Sequence, residues 1–197
     1  MKYMKKLVES LKKFYEFLQK DTFTSLIIYL IVVFLFLLLI FFPVLRLITG
    51  TYFPLVIVES CSMYHDEYGF DKTMTSSVYS NNDITINDTL NWDFPRGLNK
   101  GDIIFIVKDT DLEIGDVIIF NGGANHPIIH RIIDNIVPYQ TKGDNYVTNS
   151  QQLNVEKNIR EEQVLGRAVF KIPYLGWIKL IFFDWKNPTE DRGFCKI

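Results

Sequence analysis

Residues 26–45 read LIIYLIVVFLFLLLIFFPVL, a run in which Pro43 alone lies outside the apolar set. No charged residue occurs between Asp21 and Arg46. An α-helix rises about 1.5 Å per residue, so a helix of about 20 residues spans the hydrocarbon core of a bilayer, which is about 30 Å thick. The run therefore predicts one transmembrane helix over residues 25–46.

A cleaved secretory signal is the alternative interpretation of this run. The apolar region of such a signal spans about 7–15 residues and is followed by small residues at a cleavage site. Here the apolar run is longer, starts after residue 25, and ends in Phe41, Phe42 and Pro43. The length and the flanking residues favour a helix that is retained as an anchor.

The stretch before the anchor is basic and indicates an orientation. Residues 1–20 contain six lysines and two glutamates. Since basic flanks of membrane helices remain inside the cell, we expect residues 1–24 to form a cytoplasmic leader. The rest of the chain would then lie on the outer face of the cell membrane. Apolar residues recur in the leader at helical spacing, at Leu7, Leu11, Phe14 and Leu18. This spacing fits an amphipathic helix on the inner membrane surface, and a solvated basic leader is the alternative.

The overall composition excludes several classes of protein. Hydrophobic residues make up 48% of the 197-residue chain, which is too many for a disordered protein. The two cysteines are too few for a disulfide-rich small domain. The net charge of −2 gives no general attraction to nucleic acid, and we expect no nucleic-acid partner. The chain has no CxxC, HExxH or phosphate-loop motif, so we expect no metal and no cofactor.

Beyond Arg46 the pattern changes to short runs rich in β-branched and aromatic residues, separated by glycine- and asparagine-containing breakers. Five strands are predicted, over residues 52–58, 102–107, 116–120, 128–133 and 164–172. We therefore expect a mainly β domain over residues 47–185, followed by a polar tail over residues 186–197.

Residues 64–98 interrupt the strand pattern. This segment is polar, carries several aromatic residues and has weak periodicity. It predicts a surface insertion or a small subdomain, with a short helix over residues 83–92.

Three side chains in the predicted β domain are of the types that serine hydrolysis needs. Ser62 follows the first strand, His130 lies in the fourth, and Asp144 lies in a turn beyond it. A serine hydroxyl needs a base to take its proton, and imidazole can serve near neutral pH. A carboxylate then orients the imidazole and stabilises its charged form. A histidine in a strand is also commonly a structural, hydrogen-bonded residue, which is the alternative for His130.

The string VESCSM at residues 58–63 resembles the nucleophile box of type I signal peptidases. Further boxes similar to those of the family follow in order: KGDIIF at 100–105, GDVIIF at 115–120, IIHR at 128–131, TKGDN at 141–145, LGRA at 165–168 and IPYLG at 172–176. Bacterial members use a lysine as the general base, whereas archaeal and endoplasmic-reticulum members have a histidine in that box. His130 makes the chain resemble the second branch.

The resemblance implies a signal-peptidase-like β domain attached to one N-terminal transmembrane helix. It implies Ser62 as the nucleophile, His130 as the general base and Asp144 as the supporting acid. The Ser60 hydroxyl and the Ser62 backbone N–H would stabilise the oxyanion, a type of contact worth about 3 kcal/mol each.

The implied activity is that of a membrane-anchored serine endopeptidase that removes signal peptides from exported preproteins, cleaving after small residues. Signal peptides and the lipid bilayer are the implied partners, with subunits of the secretion machinery as further candidates. A non-catalytic anchored β module that keeps only the family fold is the alternative function.

The chain departs from the family pattern at three places. Cys61 replaces a glycine, which raises the alternative of a thiol nucleophile; in an extended strand its side chain would point away from both serines. A second aspartate, frequent in relatives about six residues after the position of Asp144, is missing from TNS at 148–150. Either Asp144 orients His130 alone, or the site is a Ser–His dyad. His65 replaces a proline and is the second candidate base.

The remaining expectations concern Lys142, the pairing of Cys195 with Cys61, and the aromatic segment 174–185. By analogy with the bacterial lysine, Lys142 is another candidate base, but it lies in a different box. The favoured role is that it caps a turn or pairs with a carboxylate. Cys195 lies far from Cys61 in the chain, and their pairing is left open. The aromatic segment 174–185 is too short to span a bilayer and predicts a contact with the membrane surface, through Trp177 and Phe182.

Overall fold

The computed structural model describes residues 2–65, 70–123, 126–188 and 192–195. It divides the chain into two compact units, Met1–Ile48 and Thr49–Ile197. The first unit is helical and the second is built around a β-sheet.

The first unit consists of helix α1 and all but the last residue of a long apolar helix. α1 spans Lys2–Leu18, and Leu7, Leu11 and Phe14 are exposed along it, so the predicted helical spacing does lie on a helix. The long helix spans Phe23–Thr49, and its 27 residues are long and apolar enough to cross a membrane. It consists of α2 (Phe23–Phe36), a π-helical turn (Leu37–Phe41) and α3 (Phe42–Thr49).

The start of the apolar helix is fixed by a local hydrogen-bonding pattern. The Thr22 hydroxyl accepts a hydrogen bond from Ser25 N at 3.3 Å, and Thr22 N donates to the Ser25 hydroxyl at 3.4 Å. This reciprocal arrangement satisfies backbone donors that the first turn of a helix leaves without partners. The helix therefore begins at Phe23, before the apolar run itself begins.

The second unit contains a six-stranded antiparallel sheet with the order β1-β2-β6-β3-β4-β5. The strands are β1 (Leu55–Ile57), β2 (Ile103–Val107), β3 (Val117–Phe120), β4 (Ile128–Asp134), β5 (Gln140–Lys142) and β6 (Val164–Ile172). The prediction of a mainly β chain is confirmed only in part, because 37% of the chain is helical and 19% is strand.

The sheet is buried most completely at its centre. All four residues of β3 are buried, as expected for a short apolar strand that is covered on both faces. One core contains Val58, Met63, Leu98, Ile104, Ile106, Val117, Ile119 and Ala168. A second core contains Leu112, Ile118, Phe120, Ile132, Tyr139 and Ile159. Neighbouring residues of β3 alternate between these two cores, which follows from the two-residue period of a strand.

The segment predicted as an insertion is a small subdomain that packs on the sheet. Residues 64–65 and 70–98 of it are described, and the latter contain helix α4 (Ser77–Asn81) with short 3₁₀ turns at Thr73–Thr75 and Asp88–Asn91. The helix predicted over residues 83–92 is therefore reduced to the second of these turns. A third core joins the subdomain to β4 and contains Phe70, Tyr79, Ile84, Trp92 and Ile133.

The C-terminal segment returns to the beginning of the domain. It contains helix α5 (Trp177–Leu180) and a 3₁₀ turn at Asp184–Lys186. Cys195 forms a disulfide with Cys61, with the two Cα atoms 5.5 Å apart. The pairing that the sequence left open is therefore present in the structure.

Candidate active site

Ser60 and Ser62 lie on a turn directly after β1. Their Oγ atoms are 3.2 Å apart, so the two hydroxyls share one side of the turn. Ser62 O accepts a hydrogen bond from Asn145 N at 2.9 Å, which ties the turn to the loop after β5. Met63 O accepts from Leu98 N at 2.8 Å, which ties it to the end of the subdomain. Contacts from two separate parts of the chain thus fix the backbone of Ser62.

His130 lies in the middle of β4 and is only 3% exposed. Its Nδ1 atom contacts the Oε1 atom of Glu156, whose carboxylate is fully buried. Leu153 N donates a hydrogen bond to the other oxygen of the same carboxylate. A carboxylate against Nδ1 holds the ring and favours a proton on that nitrogen, which leaves Nε2 as the basic atom.

Gly143 lies between His130 and the turn that carries Ser62. A Cβ atom at this position would lie 2.9 Å from His130 Nε2 and 2.7 Å from Ser62 O. Both distances are shorter than an ordinary van der Waals contact, so a larger side chain would displace one of these groups. Ser62 and His130 thus approach each other across Gly143, through the Ser62 carbonyl and His130 Nε2, and the Ser60 hydroxyl lies next to that of Ser62.

Asp144 does not contact His130 in the way that the sequence predicted. Its carboxylate accepts hydrogen bonds from Arg131 Nε at 3.0 Å and from Arg131 Nη2 at 2.7 Å, and both side chains are fully buried. His130 and Arg131 are neighbours in β4 and point to opposite faces of the strand. A carboxylate that pairs with Arg131 cannot orient the imidazole on the other face. Glu156 occupies that position instead.

Glu156 is a candidate site residue that the sequence interpretation missed. The family pattern predicts a second acid near residues 148–150, and Glu156 lies beyond that string. Glu156 is the next carboxylate along the chain after Asp144. Its position in the sequence could have suggested Glu156 as the acid of the site. The loop that brings Glu156 to β4, however, cannot be derived from spacing alone.

Arg131 connects the subdomain to the loop that carries Gly143 and Asp144. Its Nη1 atom donates to Gly115 O at 2.6 Å and to Asp93 O at 2.8 Å. Its guanidinium lies 4.9 Å from the centre of the Phe70 ring and 5.2 Å from that of Trp92. The Arg131–Asp144 pair is thus part of the structural support of the site.

Lys142 is buried next to the site, but its ammonium group serves the backbone. Nζ donates to Gly143 O at 2.9 Å and to Asn149 O at 2.7 Å. Burial lowers the pKa of Lys142, and the negative charges of Asp144 and Glu156 oppose this effect. These hydrogen bonds to backbone carbonyls agree with the expectation that Lys142 caps a turn.

The other two candidates for chemistry lie in different surroundings from Ser62 and His130. Cys61 is bonded to Cys195, so no thiol nucleophile is present while the disulfide is intact. The ring of His65 packs on Phe70 with centroids 4.7 Å apart, and its Nε2 atom lies 3.9 Å from Asp144 Oδ2. The structure thus places His65 with the Arg131–Asp144 pair.

A cavity of about 850 Å³ adjoins the turn that carries Ser62. It is lined by Tyr64, His65, Arg96, Asn99, Tyr174, Trp177, Phe194 and Cys195. Aromatic rings and one guanidinium group form most of this lining. Within the described part of the chain, His, Cys, Asp and Glu residues form no group suited to hold a metal ion.

Trp177, one of the two residues predicted to contact the membrane surface, is partly buried against the loop before β2. Its Nε1 atom donates to Lys100 O at 3.0 Å, and its ring packs so closely on Gly101 that a Cβ atom there would lie 2.2 Å away. Phe182 is 68% exposed, as the prediction requires. Its exposed apolar neighbours in the same segment are Ile178, Ile181 and Trp185.

A scan of the chain against models of known protein families finds no match, and a search among curated proteins finds no relative. The functional conclusion therefore depends on the geometry of the site and on the resemblance of the sequence boxes.

Proposed function

We propose that the protein is a membrane-anchored serine endopeptidase that removes signal peptides from exported preproteins. The observation that carries the proposal is the position of Gly143, which lies against both His130 Nε2 and the backbone carbonyl of Ser62, on a turn where the Ser60 and Ser62 hydroxyls are 3.2 Å apart. Glu156 against His130 Nδ1 completes a serine–histidine–carboxylate set. The order of the sequence boxes supports a type I signal peptidase over other serine peptidases.

In the proposed reaction, Ser62 Oγ attacks the carbonyl carbon of the scissile peptide bond while His130 Nε2 takes the hydroxyl proton. The buried carboxylate of Glu156 stabilises the imidazolium that forms. The Ser60 hydroxyl, 3.2 Å from Ser62 Oγ, and the Ser62 N–H stabilise the oxyanion. His130 then gives its proton to the leaving amine, and water hydrolyses the acyl-enzyme with His130 as the base.

The edge of the sheet supplies a place for an extended substrate. β1 is an edge strand, and Val58 directs its N–H to Asp102 O at 2.9 Å, towards β2. Backbone groups alternate in direction along a strand, so those of Leu55 and Ile57 point to the free side. A peptide paired with that side would run alongside the residues that lead to Ser62. Such pairing would set which bond reaches the nucleophile.

Three features support action at the outer face of a membrane. The Phe23–Thr49 helix is long and apolar enough to anchor the chain in the bilayer that also holds the apolar region of a signal peptide. The lysine-rich leader favours a cytoplasmic N-terminus. The Cys61–Cys195 disulfide agrees with an oxidising compartment outside the cytoplasm.

The proposal is tested by cleavage of a synthetic preprotein by the full chain in detergent micelles. Ser62→Ala and His130→Ala should each abolish cleavage, whereas Ser80→Ala should not, because Ser80 is exposed and its hydroxyl donates only to Ser77 O, at 3.1 Å. His65→Ala tests the second candidate base and should keep a measurable rate. Cleavage by Ser62→Ala at the wild-type rate would contradict the serine mechanism and favour Cys61, whereas no cleavage by the wild-type chain would favour the non-catalytic module.

A further inference from the structure

We propose that the Cys61–Cys195 disulfide is a positioning element of the active site. It ties the C-terminal tail to the turn that carries Ser62, and fast cleavage requires that the bond be intact. The inference rests on the proposed function, because it assumes that Ser62 attacks a peptide bond.

On the side of the nucleophile, Cys61 stands between the two serines of the site. β1 ends at Ile57, so Ser62 lies outside the ladder of the sheet. Asn145 holds the turn from one direction, since its Nδ2 atom donates to Cys61 O at 2.9 Å and its N–H donates to Ser62 O at 2.9 Å. The disulfide holds the same turn through the Cys61 side chain.

On the other side, the tail of residues 192–195 is bound to the C-terminal segment. Gly193 N donates to Asp184 Oδ2 at 2.8 Å. The ring of Phe194 packs against Trp177, with ring centroids 4.9 Å apart. The tail therefore has a defined position from which Cys195 reaches the turn.

Lys100 joins this tail to the loop that precedes β2. Its backbone N–H donates to Cys195 Sγ at 3.5 Å, and its ammonium group pairs with the carboxylate of Asp184. The Lys100 carbonyl accepts the hydrogen bond from the Trp177 indole at 3.0 Å. The disulfide is thus embedded in a network that includes the loop beside β1.

The same bond shapes the cavity beside Ser62. Tyr64 and His65, which follow the nucleophile, line one part of it, and Phe194 and Cys195 line another. The disulfide joins the chain segments that carry these two pairs. Breaking it would free the tail to leave, which would open the cavity and remove one of the contacts that fix Ser62.

Reduction by a dithiol breaks the S–S bond and gives two thiols, at Cys61 and Cys195, while the dithiol is oxidised to its own disulfide. Cys61 and Cys195 are the only cysteines in the sequence, so a reductant has no other disulfide to act on within the chain. After reduction the tail stays near the turn only through non-covalent contacts such as those of Gly193 with Asp184 and of Phe194 with Trp177, which are weaker than the covalent bond.

The test measures kcat and KM for a synthetic preprotein with the full chain in detergent, before and after dithiothreitol and after reoxidation with oxidised glutathione. Reduction should lower kcat by about 10- to 100-fold, the scale of loss from a slightly displaced reacting group, and reoxidation should restore it. The double variant Cys61→Ser/Cys195→Ser has neither a thiol nor a disulfide, so it should have the low kcat from the start and should respond to neither reagent. Thiol alkylation followed by mass measurement reports the state of the bond in each sample.

Two results would overturn the inference. A disulfide that only stabilises the fold would lower Tm on reduction and leave kcat at 25 °C unchanged. Alkylation of both cysteines before any reductant is added would show that the bond does not form. Failure of the proposed function is distinct from both, because the oxidised wild-type chain would then cleave no preprotein at all.

Discussion

At the scale of single residues, the two buried carboxylates near the site have different partners and therefore different expected roles. Glu156 contacts the imidazole of His130, and Asp144 contacts the guanidinium of Arg131. An acid that orients the base affects the reaction rate. An acid that neutralises a buried arginine affects the stability of the fold.

Glu156→Gln should therefore reduce kcat by about 10⁴-fold while leaving the fold intact, because the amide no longer stabilises the imidazolium. Asp144→Asn should lower the free energy of unfolding by about 3–5 kcal/mol, because it leaves Arg131 buried without a counter-charge. Preprotein cleavage and chemical denaturation measure the two effects, with the exposed Glu161→Gln as a control for both. The reverse pattern, with Asp144→Asn stable and inactive, would return the role of acid to Asp144.

Much of the site was predictable from residue types and order, and the remainder was not. Ser60, Ser62 and His130 were expected to act together, and in the structure Gly143 lies against the Ser62 carbonyl and His130 Nε2, while the Ser60 and Ser62 hydroxyls are neighbours. The choice between two carboxylates was not predictable. It depends on which face of β4 each side chain meets, and that follows from how the loop after β5 folds rather than from spacing.

At the scale of elements, the five predicted strands are present, with bounds that differ by a few residues at most. β5 was missed because two of its three residues, Thr141 and Lys142, lie in the string TKGDN, which is typical of a turn. The order of strands in the sheet was beyond prediction, since β6 pairs with both β2 and β3 and therefore lies between strands that are distant from it in the chain. Such pairings depend on long-range packing that local patterns do not encode.

The C-terminal segment is held in part by an ionised group, which gives its stability a pH dependence. Desolvation alone would raise the pKa of Asp184, but hydrogen bonds from Lys100, Gly193 and Asn187 outweigh it and lower the pKa below the ordinary value. A lowered pKa in the folded state means that the stabilisation is present above the unfolded pKa, about 3.9, and is lost as the pH falls through the lower folded value.

The loss of stability caused by Asp184→Asn should accordingly be constant at neutral pH and shrink below about pH 4. Urea unfolding of the detergent-solubilised chain at a series of pH values measures it, followed by tryptophan fluorescence. The exposed Asp111→Asn serves as the matched control. A difference between wild type and Asp184→Asn that persists unchanged to pH 2 would contradict the role of the ionised carboxylate.

The exposed apolar side chains after α5 are expected to contact lipid. Ile178, Ile181, Phe182 and Trp185 are each at least 65% exposed. Of the three tryptophans, Trp92 is buried in the subdomain core and Trp177 is held against Lys100 and Gly101, so Trp185 is the one placed to report on the membrane.

In vesicles that carry doxyl groups on the lipid chains, the fluorescence of the reconstituted chain should be quenched mainly through Trp185. Trp185→Phe should remove most of this quenching, and Trp92→Phe should remove little of it. Equal quenching in wild type and Trp185→Phe would show that this surface stays in water.

At the scale of the whole molecule, the composition averages two units of different character. The apolar Phe23–Thr49 helix accounts for much of the 48% hydrophobic content, and the sheet unit after it has its own buried cores. The near-neutral net charge likewise combines a lysine-rich leader with a more acidic remainder. Together the two units fit an enzyme that acts on chains emerging through a membrane.

The central claim is that Ser62 becomes covalently attached to the substrate during cleavage. The most direct test is rapid acid quenching of the full chain with a synthetic preprotein, followed by intact-mass measurement and peptide mapping. We predict an adduct with the mass of the signal-peptide fragment, attached at Ser62 in wild type and absent in Ser62→Ala. An adduct on Cys61, or undiminished cleavage by Ser62→Ala, would contradict the account.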